Sequence, residues 1–122
     1  MNKKLSSKYN QFLNPQASTL FEEYNLALTN KMWVSVIILS LAIIDNILID
    51  EKSLDFIDGL DLNALKRSKN VQWLRNRRNK ILHYEGPIEG FYGNKNSLQV
   101  LKLDAQKANK IMASSFLEIF KC

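Results

Sequence analysis

At 122 residues with 46% hydrophobic content, the chain has the length and apolar fraction of one domain around a single core. Its formal net charge of +5 points to an anionic partner without naming one. The lone cysteine, Cys122, excludes an intrachain disulfide and a multi-cysteine metal site, and a reducing, cytoplasmic setting fits; no metal or cofactor is expected.

Residues 1–14 are polar and read as a flexible segment, with basic residues but no apolar stretch of signal-peptide length behind them. From residue 15 to 122 the chain reads as a single helical domain. Pro15 suits the first turn of a helix with Asn14 as its N-cap. Ala17, Leu20, Phe21, Tyr24 and Leu28 then recur at helical spacing, so a first helix is expected to about Leu28.

Thr29 and Asn30 break the pattern, and Met32 to Ile49 reads as a second helix, apolar almost all round and therefore buried on several sides. Its apolar run from Met32 to Ile44 ends at Asp45, short of the roughly 20 residues a membrane span needs, so no membrane partner is expected. Asp50 to Gly59 reads as a connector. Asp61 is placed to cap a third helical region that runs, across a break near Ser68 to Asn70, as far as Tyr84.

Glu85 to Ser97 reads as a loop, rich in glycine, and Leu98 to Leu103 as a short extended piece. Asp104 is expected to cap a last helix through about Lys121, with Ala108, Ile111, Met112, Phe116 and Ile119 facing inward. The expected fold class is all-α, an antiparallel bundle of four to five helices.

The charge is concentrated in one place. Seven of the 17 basic residues (Lys66, Arg67, Lys69, Arg75, Arg77, Arg78 and Lys80) fall between 66 and 80 with no acid among them. The remaining ten face all 12 acids, a net of −2, so this segment alone makes the protein basic. Such a run is an electrostatic footprint for phosphate.

Placed at ~100° intervals, the third helix shows two stripes. Val71, Leu74, Ile81 and Leu82 form the apolar one, with Arg78 in its middle. Gln72, Asn76, Asn79 and His83 form a polar one beside it. A guanidinium on an apolar stripe is costly unless paired, and Asp45 inside the apolar second helix is the matching anomaly. An Arg78–Asp45 ion pair is one expectation, structural in itself and compatible with a functional Arg78. His83, the only histidine, either interacts with the last carbonyls of its helix or serves as a proton carrier on the polar stripe.

The string Arg78-Asn79-Lys80-Ile81-Leu82-His83-Tyr84 resembles the signature of HEPN domains, an arginine followed after four to six residues by a histidine, often with a polar residue after the arginine. Here the spacing is four and Asn79 takes the polar place. The resemblance covers the bundle from Pro15 to Phe120 in outline and residues 78–84 in detail. It implies a metal-independent endoribonuclease acting as a homodimer, with the motif helices lining a cleft between subunits. Active members of this kind work as toxins with a cognate antitoxin, in antiviral defence or in RNA processing; inactive ones bind RNA, nucleotides or proteins.

Metal-free RNA cleavage needs a group to move protons near neutral pH, for which His83 is suited, and a clamp for phosphate oxygens, for which Arg78 is suited. Asn79, one turn before His83, can orient the imidazole or touch phosphate. Asp45 and Tyr84 would support the site, with packing an equal role for Tyr84. Lys69, Arg75, Arg77 and Lys80 would hold the RNA backbone, and Trp73 either packs in the core or stacks a base. Arg78 and His83, five apart, diverge by ~140° on an ideal helix, so they need either a bent helix end or a two-fold dimer in which one subunit's arginine meets the other's histidine. The alternatives are a non-catalytic HEPN module binding RNA or a nucleotide, and an assembly domain whose basic helix binds an acidic protein.

Overall fold

The computed structural model describes residues 13–49, 68–83 and 95–120. They form four helices: α1 (Pro15–Thr29), α2 (Trp33–Ile49), α3 (Lys69–His83) and α4 (Lys95–Phe120). The architecture is an all-α bundle. Among the described residues no helix is long and apolar enough to cross a membrane.

Local chemistry sets the ends of α1. Asn14 is extended and its Oδ1 accepts a hydrogen bond from the Ala17 amide at 2.8 Å, while Pro15 occupies the first turn, where its missing N–H is not needed. At the other end the Met32 amide donates to the Ala27 carbonyl at 2.8 Å and the Lys31 amide to Leu28 at 3.3 Å. These two bonds make a Schellman closure, with Lys31 at φ 58° in the left-handed position that glycine usually holds. The tight reversal lays α2 back along α1. Asn14 Nδ2 donates to Asn46 Oδ1 at 2.8 Å, joining the start of α1 to the end of α2.

The core lies where α2 meets α1 and α4. Val36, Ile37, Leu41, Ile43, Ile44, Ile47 and Leu48 of α2 are buried, as its continuous apolar run requires. Phe21, Tyr24 and Ala27 face them from α1, and Leu101, Ala105, Ala108, Ile111, Met112 and Phe116 from α4. Phe21 meets Phe116 at 5.5 Å between ring centroids and Tyr24 edge-on at 5.9 Å. The Tyr24 hydroxyl donates to Asn109 Oδ1. Contacts Phe21–Phe116 and Tyr24–Asn109 step in opposite directions along the two helices, so α1 and α4 are antiparallel. The buried serines 40 and 115 bond back to the carbonyls of Ile37 and Ile111, each at 2.8 Å, which satisfies their hydroxyls without a partner helix.

Three sequence expectations need correction. Leu98 to Leu103 is helical, because α4 begins at Lys95, and Asp104 therefore sits inside α4 rather than capping it. The loop read from Glu85 to Ser97 gives way to helix at that same residue. An isolated reading favours Asp104 as a cap because aspartate satisfies amide groups at helix starts. The longer helix is instead held by packing, with Leu101 and Ala105 extending the inward stripe a turn and more before Ala108.

The break expected near Ser68 is the start of α3: Ser68 Oγ accepts from the Val71 amide at 3.2 Å. Asp61, the 50–59 connector, most of the 85–97 loop and residues 1–12 lie outside the described residues.

Candidate functional site: the basic helix and its neighbours

α3 rests on the bundle by a short apolar stripe. Val71 and Leu74 are buried and Ile81 is partly buried, whereas Leu82 is 52% exposed, so the helix leaves the core towards its C-terminal end. Arg78 lies between these positions on the wheel and is partly buried.

Asp45 does pair with an arginine of α3, but with Arg75 and not Arg78. Arg75 Nη2 donates to Asp45 Oδ1 at 2.8 Å and Nη1 to Oδ2 at 3.2 Å, a two-pronged bond between α3 and α2. Hydrogen bonding to this carboxylate raises the Arg75 pKa above its ordinary value and outweighs the opposing desolvation. The physical reason for the exchange is helical phase. Arg75 lies ~40° from Val71, on the flank of the stripe that turns towards α2, and one turn nearer the core than Arg78.

Arg77 is engaged on the opposite flank. Its Nε lies 3.2 Å from Asp104 Oδ2 of α4, and its guanidinium sits 5.5 Å from the centre of the Trp73 ring. Lys107 of α4 places its Nζ 4.1 Å from the centre of the same ring. Trp73 is partly buried against the core and also carries these two cations. Arg75 and Arg77 thus clasp α3 to the helices on either side of it, and both ion pairs cross between elements far apart in sequence.

Arg78 has a different environment. Its Nε and Nη2 donate to Asn79 Oδ1 at 3.2 and 2.8 Å, and among the described residues it makes no ion pair with a carboxylate. A neutral amide therefore orients this guanidinium, and no carboxylate among the described residues cancels its charge. Asn79 is partly buried, and Lys69 and Lys80 are exposed. His83 is the last residue of α3; its side chain and all of Tyr84 lie outside the described residues.

No family model, curated protein or solved structure matches the chain. The functional reading therefore rests on the site itself. Of the nine candidates, Arg78 and Asn79 are in direct contact. Asp45 and Arg75 are joined to each other and Arg77 to Asp104, so Asp45 supports the position of α3 rather than of Arg78.

Two site neighbours were not assigned to the site from the sequence: Asp104, read there as a helix cap, and Lys107. One turn apart on α4, they meet α3 at Arg77 and Trp73. No local pattern ties them to α3, because their spacing only shows that they share a side of α4. Which helix that side faces is a property of the packed bundle.

Proposed function

We propose that the chain is a HEPN-type endoribonuclease that binds single-stranded RNA through α3 and cleaves it without a metal ion, as a homodimer, in a toxin, defence or RNA-processing role. The observation that carries the reading is the state of Arg78. Of the three arginines on α3, Arg75 and Arg77 are engaged by carboxylates, while the arginine within the Arg78–His83 motif is braced by Asn79 with its charge uncancelled.

Arg78 is the group suited to hold the non-bridging oxygens of the scissile phosphate and to stabilise the charge that develops there. Asn79 serves as its positioning residue: with Oδ1 accepting from Arg78, the amide N–H groups are the part of its side chain that can turn to a phosphate or an imidazole. In the reaction the ribose 2′-oxygen forms a bond to phosphorus as the bond to the 5′-oxygen breaks. One His83 takes the 2′-OH proton and the His83 of a second subunit returns a proton to the leaving 5′-oxygen, giving a 2′,3′-cyclic phosphate and a 5′-OH. Lys69 and Lys80, both exposed, supply backbone attraction.

End-labelled single-stranded RNA incubated in EDTA with wild type, His83→Ala and Arg78→Ala protein tests this. Cyclic-phosphate ends from wild type, with cleavage reduced about 10²-fold or more in either variant, are the expected result. Binding without cleavage by all three proteins would establish the non-catalytic module instead. Equal cleavage by all three would overturn the site.

A further inference from the structure

The outer seam between α3 and α4 collects cations from both helices around one aromatic ring. Trp73 and Lys107 meet across it, as do Arg77 and Asp104, and these contacts run in opposite directions, so the two helices are antiparallel here. On α3, Lys69 and Lys80 are exposed and lie within ~40° of Trp73 on the wheel. On α4, Lys107 and Lys110 are exposed on adjoining positions, and Leu103, one turn before Lys107, is 54% exposed.

Among the described residues the charges in this seam are unbalanced: Asp104 is the acid within it, and Asp104 already faces Arg77. Among the described residues Lys69, Lys80, Lys107 and Lys110 form no ion pairs. A partly buried indole with Lys107 over its face and three further such cations along the same seam combines the two requirements of a single-stranded nucleic-acid track: a stacking surface and a line of backbone charge.

We infer that the α3–α4 seam is a binding track for single-stranded RNA, in which a base stacks on Trp73 and Lys107 moves from the ring to the adjoining phosphate. The inference rests on the RNA reading given above and extends it to α4, which lies outside the motif in sequence. Single-stranded RNA is the occupant that fits because each cation is matched by a backbone phosphate and the ring by a base face, with no sequence-specific donor required. A duplex would keep its bases stacked internally and leave Trp73 unused.

The test is fluorescence anisotropy with a fluorescein-labelled oligouridylate, using the full chain as wild type, Lys107→Gln, Trp73→Leu and Arg78→Ala. Lys107→Gln should weaken binding about threefold or more and lower the slope of log affinity against log salt by about one. Trp73→Leu, checked for an unchanged helical circular dichroism spectrum, should weaken it about tenfold. In a Trp33→Phe background the oligonucleotide should quench the remaining indole emission.

Wild-type affinity and salt slope in Lys107→Gln, with no quenching, would overturn the seam even if Trp73→Leu failed to fold. Such a result alongside a loss of binding in Arg78→Ala would leave the motif reading intact. Absence of RNA binding by the wild-type protein would overturn both.

Discussion

The pairing of Asp45 with Arg75 makes a quantitative prediction about what the basic helix is held by. The two side chains are 27% and 30% exposed and share two hydrogen bonds. Fully exposed pairs contribute up to about 1 kcal/mol, and breaking a buried pair costs about 3–5 kcal/mol. Partial exposure places this one between them, so Arg75→Gln is expected to destabilise the fold by about 2 kcal/mol.

In a double-mutant cycle with Asp45→Asn the coupling energy should be about 1–2 kcal/mol and should shrink in high salt. Urea unfolding of the four proteins supplies these values, with Lys80→Gln as a control expected to stay within about 0.5 kcal/mol of wild type. In RNA binding the order should reverse, with Lys80→Gln weakened and Arg75→Gln nearly unchanged under conditions where both are folded. A coupling energy below about 0.3 kcal/mol would refute the reasoning, as would an Arg75→Gln protein as stable as Lys80→Gln.

Two further expectations concern the scaffold. Lys31 occupies a left-handed conformation that costs a residue with a β-carbon about 1 kcal/mol, so Lys31→Gly should raise the urea midpoint, and an unchanged or lowered midpoint would contradict the Schellman assignment. Burial pushes the Tyr24 hydroxyl above its ordinary pKa, so wild type holds a proton that the unfolded chain releases above pH ~10. The stability contributed by this raised pKa is present below pH ~10 and lost as pH rises, at about 1.4 kcal/mol per unit. Tyr24→Phe should therefore be about 1 kcal/mol less stable than wild type near pH 8, through loss of the bond to Asn109, and the gap should close near pH 11. A gap that stays constant with pH in urea titrations would show that Tyr24 is not shielded as described.

Much of the scaffold could be read from residue order alone. Asn14 before Pro15, the apolar spacing from Ala17 to Leu28 and the continuous run from Met32 specify two helices because caps and periodicity act within a few residues. The inward positions Ala108, Ile111, Met112 and Phe116 were legible for the same reason. The start of α4 was not, because the segment from Lys95 to Leu103 lacks strong helix signals and is held by the burial of Leu101 and Ala105 against the core.

At the site the division is sharper. The sequence by itself determined that one segment carries the surplus positive charge, that Arg78 lies on the inner side of its helix and that Asn79 follows it. Only the tertiary structure decided which of these charges remain uncancelled. A run without acids in the sequence acquires them in space: Asp45 is 30 residues before Arg75 and Asp104 is 27 after Arg77, and both arrive through the packing of α2 and α4 around α3. Ion pairing depends on distances of a few ångströms between side chains, whereas residue order constrains neighbours only along one helix. For that reason the same tertiary contacts that neutralise Arg75 and Arg77 single out Arg78, and bring Lys107 to Trp73 from a helix that lies outside the motif in sequence.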